Sequence, residues 1–398
     1  MTREDAFAET VAADGVTAVP SGTLRVTTRS AVLPRAGEEA REPGERYAKK
    51  RVLGQGGMGE VVLAEDRDIG RDVAMKYLTA HQDPAAIARF VDEIRIVGSL
   101  EHPNIVPIHD VGRDESDRYY FVMKHVEGET LEHVIERLAA GDPKYVARYT
   151  FTVRAEIFVA LLRALEFAHA HGYVHRDIKP ANVMVGPYGE VVLMDWGVAK
   201  RRTSAEDSGA ATVDDESRPI RERLFTTRRG AIVGTPAYMS PEQARGDVEA
   251  IDERSDVYCA SVLFHELMTL RHYLGDRESL PAMLRAIQNE AVDVFSIPSH
   301  PVQGPAPAEY VHVVNRGIQK KAADRFQSVG EMIEQIEAAL DGRLKVQCPV
   351  TFTKRITREL GRFIDRHPAA GFRLFGLMSL LFVAWIVWSI YAALHMHA

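Results

Sequence analysis

The sequence predicts an α+β fold: a small β-rich part with one helix, a larger helical part, and a C-terminal membrane-spanning helix. Three observations carry this. Short β-branched and aromatic runs, parted by glycine turns, dominate residues 47–126. Longer apolar runs at helical spacing dominate residues 131–340. An uncharged run, Leu374–Leu394, follows near the C-terminus.

At 398 residues the chain is long enough for two domains or one large bilobal one. Charged residues make up 26% and apolar ones 46%, an ordinary globular balance. The net charge of −7 does not suggest a nucleic-acid partner. Two cysteines, Cys259 and Cys348, argue against a disulfide framework and for a reducing compartment. Cys259 lies in an apolar run and reads as a small core residue. Residues 1–20 carry acids and lack an apolar segment, so no signal peptide is expected.

Residues 1–46 show no periodicity and read as a flexible tail. Order begins near Tyr47. Arg51–Ala64 reads as strand, glycine-rich turn, strand. Gly54, Gly56 and Gly59 remove side chains where a backbone must approach a phosphate closely. Hairpin turns also use glycine, and a dinucleotide-binding alternative needs a helix straight after the glycines. Here Glu60–Leu63 is β-rich and a third strand, Val73–Lys76, follows.

Pro84–Leu100 has helical spacing in Ile87, Phe90, Val91, Ile94, Val97 and Leu100. Tyr119–Val126 reads as a strand. Leu131–Ala139 and Phe151–His171 read as helices, the second ending at the capping Gly172. His169 and His171 lack ligand partners at metal-site spacing and read as structural.

The chemistry concentrates in His175–Gly197. Asp177, Lys179 and Asn182 fall within six consecutive residues, and Pro180 prevents a regular helix there. Val183–Val185 and Val191–Met194, joined by Gly186-Pro187-Tyr188-Gly189, read as a hairpin that returns Asp195 to Asn182. A carboxylate and an amide oxygen at one point are hard ligands suited to Mg²⁺ with bound phosphates. Asp177 is left to accept a proton from a hydroxyl, and Lys179 to neutralise a transferring phosphoryl group.

The remaining elements follow in order. Arg202–Pro219 reads as a mobile loop with extra length. Asp252–Leu270 reads as a buried helix, and a last helix runs to Leu340. Lys345, Lys354, Arg355, Arg358, Arg362 and Arg366 make residues 345–371 basic. Phe352, Ile356, Leu360 and Phe363 give that segment an apolar face. A helix lying on lipid and a solvated helix packed on the preceding domain both fit. Leu374–Leu394 is long enough, at ~1.5 Å per residue, to cross a bilayer core.

His175-Arg176-Asp177 with Asn182, then Asp195-Trp196-Gly197, resembles the H-R-D-x-x-x-x-N and D-F-G motifs of eukaryotic-type (Hanks-type) bacterial Ser/Thr protein kinases, with Trp in place of Phe. The resemblance covers residues 47–341 and implies a bilobal protein-kinase fold using ATP and Mg²⁺ (or Mn²⁺). It implies that Lys76, in Val73-Ala74-Met75-Lys76, holds the nucleotide phosphates. Glu93 is its acidic partner, with Asp92 and Glu101 as rivals. Leu53, Gly54, Gly56, Gly59, Val61, Ala74, Met123 and Met184 would line the nucleotide pocket, and Lys124–Val126 would offer backbone groups to adenine. Asp177 and Lys179 would be catalytic, and Asn182 and Asp195 would hold the metal. Arg176 would bind a phosphate on Thr226 or Thr227, with Thr203–Ser217 as the alternative location. Thr235 would contact Asp177 and Lys179. Gly234–Glu242 resembles the family's G-T-x-x-Y-x-x-P-E ending with Ser240 for Ala, Asp256 its loop-bracing acid, and Arg325 the partner of Glu242.

The expected organisation is a tail (1–46), a kinase domain (47–341), a basic juxtamembrane segment (342–371), a span (372–394) and a short extracytoplasmic tail (395–398). Basic residues before the span place the kinase domain in the cytoplasm, single-pass at the cell membrane. Expected partners are ATP, Ser/Thr-containing protein substrates, membrane lipid and a second copy for trans-autophosphorylation. A nucleotide-binding pseudokinase scaffold is the alternative, although pseudokinases usually lack one of the five residues Lys76, Glu93, Asp177, Asn182 and Asp195. A small-molecule phosphotransferase fits less well with the Thr235–Glu242 shelf.

Overall fold

The structure is a computed structural model that describes residues 46–55, 59–79, 83–201, 236–275, 279–292, 294, 300–343, 346–367 and 379–388. Its contacts divide the chain into two compact units: Met1–Val91 with His109–Met123, and Asp92–Ile108 with Lys124–Ala398.

The first unit is built on a five-stranded sheet in the order β1-β2-β3-β5-β4. These strands are β1 (Tyr47–Gln55), β2 (Gly59–Asp66), β3 (Arg71–Leu78), β4 (Ile108–Arg113) and β5 (Tyr119–Lys124). β1–β2 and β2–β3 are antiparallel. Val62, Ala64, Val73, Met75, Tyr77 and Val122 form a core on one face, as the alternation of β-branched residues dictates. At its start, Arg46 grips Asp66 through two bonds of 3.0 and 2.9 Å, and Tyr47 donates to Asp110 at 2.9 Å. β5 ends at Lys124, two residues short of the expected Val126. There the Lys124 amide donates to Pro107 O, just before β4, at 3.1 Å. Helix α1 (Pro84–Ser99) contributes its first turns, to Val91, to this unit, with Ala86 and Phe90 buried; Glu93, Ile96 and Val97, also buried, belong to the second unit.

The second unit is mostly helical. β6 (Glu129–Thr130) pairs with β8 (Val183–Val185), which forms a hairpin with β9 (Val191–Leu193); β7 (Tyr173–Val174) pairs with β10 (Lys200–Arg201). α2 (Leu131–Ala139) and α4 (Phe151–Ala170) are capped by the hydroxyls of Thr130 and Thr150. Between them lies α3 (Pro143–Arg148), absent from the sequence expectation. Its signal was Asp142-Pro143, an N-cap followed by a first-turn proline. α4 closes at Gly172, whose φ of +81° is the left-handed conformation glycine supplies.

α5 (Pro241–Arg245), α6 (Glu253–Thr269), α7 (Leu280–Asn289), α8 (Ala308–Gly317), α9 (Val329–Leu340) and α10 (Pro349–Arg366) complete it. α6 is buried nearly all round and stacks Phe264 on Phe158 of α4, rings 4.1 Å apart. Cys259 is buried there, as expected of a core residue. Residues 379–388 are helical and exposed throughout. Among the described residues no helix is long and apolar enough to cross a membrane; most of the expected span 372–394 lies outside them.

Candidate active site

The stretch from His175 to Gly197 is suspended from the helices beneath it. Asp256 of α6 is fully buried. One carboxylate oxygen accepts from the His175 amide (2.8 Å) and His169 Nε2 (2.8 Å), the other from the Arg176 amide (2.9 Å). Burial pushes this carboxyl up, but the His169 bond, nearby histidines and the Arg176 amide outweigh it and hold it below the usual range. On the far side of that peptide, Gln243 of α5 donates to Arg176 O at 2.7 Å. Arg176 is thus pinned at both its N–H and its C=O, with φ +70°. A non-glycine residue in this region is strained and persists only where its surroundings fix it. Asp195, with φ +61°, is the second such residue in the loop.

Three of the expected catalytic and metal residues meet here. Lys179 Nζ lies 2.7 Å from Asp177 Oδ2. Asn182 Nδ2 donates to the same oxygen at 3.0 Å and to Asp177 O at 2.8 Å. Both side-chain contacts fall on Oδ2, so Oδ1 of Asp177 has no hydrogen-bond partner among the described residues. The Asn182 amide is oriented by these bonds, leaving its carbonyl oxygen as a ligand. The hairpin does what its sequence predicts: Val183 faces Leu193 and the Met194 amide donates to Asn182 O at 2.9 Å. Asp195 therefore follows within one residue of a bond to Asn182. Trp196 is fully buried, edge-on to His175 at 4.5 Å, and its Nε1 has no partner among the described residues.

The shelf residues lock into the same base. Ser240 caps α5 in a reciprocal box with Gln243. Glu242 takes a bidentate grip from the buried Arg325, at 2.8 and 2.9 Å, plus Ser255 Oγ at 2.6 Å. Sequence reasoning anticipated Asp256, Glu242 and Arg325 but missed Gln243. Its only signal was position three of the capping box begun by Ser240.

Lys76 belongs to the first unit, on β3 opposite Val61 of β2. It is buried, with Nζ 5.8 Å from the Phe121 ring centroid. Ala74 is buried beside it, Val61 and Met123 are half-buried, and Leu53 and Gly54 are exposed on β1. Gly59 has a packing reason of its own: a Cβ there would stand 2.2 Å from Tyr77 O. Gly56 lies outside the described residues. Glu93 belongs to the second unit and is buried, whereas its rivals Asp92 and Glu101 are exposed. Val126 and Met184 are half-buried in that unit. Thr226, Thr227, Thr235 and the 203–217 stretch lie outside the described residues.

The family model described as the protein kinase domain matches residues 47–335. The chain belongs to the protein kinase family. It is 38% identical over 313 residues to a probable serine/threonine-protein kinase of Streptomyces coelicolor, covering 77% of this chain and 42% of that one. It is 31% identical over 310 residues to serine/threonine-protein kinase PknD of Protochlamydia amoebophila, covering 76% and 30%. It is 33% identical over 294 residues to serine/threonine-protein kinase PknB of Mycolicibacterium smegmatis, covering 72% and 42%. The kinase chain spans less than half the length of these relatives.

Proposed function

We propose that this chain is an ATP-dependent protein serine/threonine kinase that works at a membrane. The observation that carries the reading is the Asp177–Lys179–Asn182 cluster, clamped from below by Asp256 and Gln243. In-line phosphoryl transfer asks little covalent chemistry of a protein and much positioning. Asp177 Oδ1 is the acceptor for a substrate hydroxyl proton. Lys179, held on Oδ2, presents positive charge beside the hydroxyl. Lys76 and Glu93 carry the phosphate-holding role, and Leu53, Gly54, Gly56, Gly59, Val61, Ala74, Met123, Val126 and Met184 the nucleotide contacts.

Among the described residues no group of three or more His, Cys, Asp or Glu could hold a metal alone. The Asn182 oxygen and the Asp195 carboxylate are hard ligands that fit Mg²⁺ or Mn²⁺ completed by nucleotide phosphates. Such an ion would neutralise charge on those phosphates.

Arg176 supports a phosphate-dependent activation segment. Its Nε is buried without a hydrogen-bond partner among the described residues, and burial lowers its guanidinium pKa. A phosphate on Thr226 or Thr227 is the anion we assign to it, added by a second copy of the chain. The segment 372–394, uncharged from Leu374 onward, is the proposed tether, with the kinase domain (47–341) on the cytoplasmic side. Its described portion, 379–388, exposes Leu380, Leu381, Phe382, Val383, Trp385, Val387 and Trp388 by more than half.

The test is incorporation of radiolabelled phosphate from ATP with phosphosite mapping. Asp177→Asn and Lys76→Met are each expected to abolish incorporation while the far-ultraviolet dichroism stays native. Turnover near the parent's in Asp177→Asn would sink the reading. Phosphate on neither Thr226 nor Thr227 would remove the activation assignment alone.

A further inference from the structure

An amphipathic helix that packs on its own domain normally buries its apolar stripe. α10 is mounted the other way round. Thr351, Lys354, Arg358 and Arg362 recur at helical spacing on one side, and this side meets the domain. Thr351 is fully buried. Lys354 pairs with Glu309 of α8 at 2.8 Å. Arg358 lies over Gly342, and Arg362 donates to Asp341 O at 3.1 Å. The opposite side carries Phe352, Ile356, Leu360 and Phe363, exposed by 51, 47, 44 and 48%.

A second copy of the helix is a poor occupant for that stripe. A two-stranded coil needs apolar residues every 3.5 on average. From Phe352 and Ile356 such a seam runs into Glu359 and Arg366. The stripe Phe352, Ile356, Leu360 and Phe363 spans only about three turns, and a coiled coil needs its seam sustained over about three to four heptads. Arg366 and Arg355, the latter paired with Glu359 at 2.8 Å, line one edge of it, where lipid phosphates would lie. The uncharged run begins at Leu374, eight residues beyond Arg366.

We infer that α10 lies in the surface of an anionic bilayer with its apolar stripe in the lipid and its basic side clipped to α8 and Asp341, so that the α8 end of the second unit is held against the membrane. The inference draws on the tether reading but is separable from it.

The test uses the full chain with Cys348→Ser, spin-labelled singly at Ile356→Cys, Phe363→Cys or, on the domain side, Asp365→Cys. The protein is reconstituted in phosphatidylcholine vesicles with and without phosphatidylglycerol. At the first two sites, with phosphatidylglycerol, collisions with oxygen should exceed those with a water-soluble nickel chelate several-fold; at Asp365→Cys the order should reverse. Stripe labels open to the chelate in both vesicle types overturn the inference. So do labels shielded from both reagents with spin–spin broadening that dilution removes, since a second copy then covers the stripe. Flotation of the same samples separates the two readings. A chain floating only with anionic vesicles removes the tether and leaves α10, one that floats with labels in water does the reverse, and one floating with neither overturns both.

Discussion

Glu242 and Asp256 are buried carboxylates, and each is ionised because its neighbours make it so. Burial pushes Glu242 up, and the two bonds from Arg325 with that from Ser255 pull it below the ordinary range. Glu242→Gln would leave the Arg325 guanidinium buried against a neutral amide. A broken buried pair costs about 3–5 kcal/mol, so urea unfolding should show a loss of that order. The pH signature has a fixed sign. A lowered folded pKa gives stability that is complete above the unfolded carboxylate value, about 4.3, and is lost as pH falls through the folded value. Glu242→Gln should flatten the acid limb of the stability curve as well as lower it; an unchanged limb would mean that Glu242 is not ionised in the fold. Asp177, Lys179, Asn182 and Asp195 were legible in the sequence because the hairpin that assembles them is local. Gln243 was not, because its bond to Arg176 O reaches across 67 residues. Arg154 was not legible either. It is buried in α4, where it donates to Tyr149 O, to Gln303 and to Leu267 O, the last 113 residues away. No periodicity reveals a cation that three neutral oxygens will accept.

At the scale of elements, long periodic segments such as α4 and α6 could be read to within a residue or two, because packing repeats every turn. Short elements could be read only where a turn signal flanked an apolar run, as in the Val183–Leu193 hairpin. α3 has six residues and buries none of them, so no apolar pattern marked it. β5 ends at Lys124, two residues before the apolar Val126 that closes its run in the sequence. The C-terminal end of α6 carries a feature hidden from sequence: His265 is buried, and His272, half-buried, follows just beyond the helix. Burial, then the charge of His272, pushes His265 down to about 4; burial alone does the same to His272, also to about 4. The unfolded chain protonates both near the ordinary imidazole value of about 6.5. Stability is therefore complete above about 6.5 and declines as pH falls toward 4, where the unfolded state holds protons the folded state refuses. Thermal melts should show Tm dropping across that window. His265→Gln with His272→Gln, neutral at every pH, should flatten the drop; an equal slope in the double variant would assign the protons elsewhere. This window lies above that of Glu242 and Asp256, so the two effects separate on one titration.

For the whole molecule, the catalytic cluster and its supports lie within the residues matched by the kinase family, 47–335. α10 and residues 379–388 lie beyond them and expose their apolar side chains. Nothing that holds Asp177, Lys179 or Asn182 comes from beyond Arg325 among the described residues. Deleting 372–398 should therefore leave phosphorylation of a soluble peptide within about twofold of the parent, the change expected when independent sites do not couple. The truncated chain should leave the detergent-requiring fraction yet keep weak, salt-sensitive attachment to anionic vesicles through α10. One amphipathic anchor gives marginal, reversible binding where a span is effectively permanent. Autophosphorylation should fall more than peptide phosphorylation and recover as protein concentration rises, because confinement to a surface raises the effective concentration of a second copy. Peptide activity lost along with the tail would show that the catalytic unit depends on residues 372–398. A full-length chain that stays in the soluble fraction without detergent would remove the tether, and with it the reason for autophosphorylation to depend on attachment.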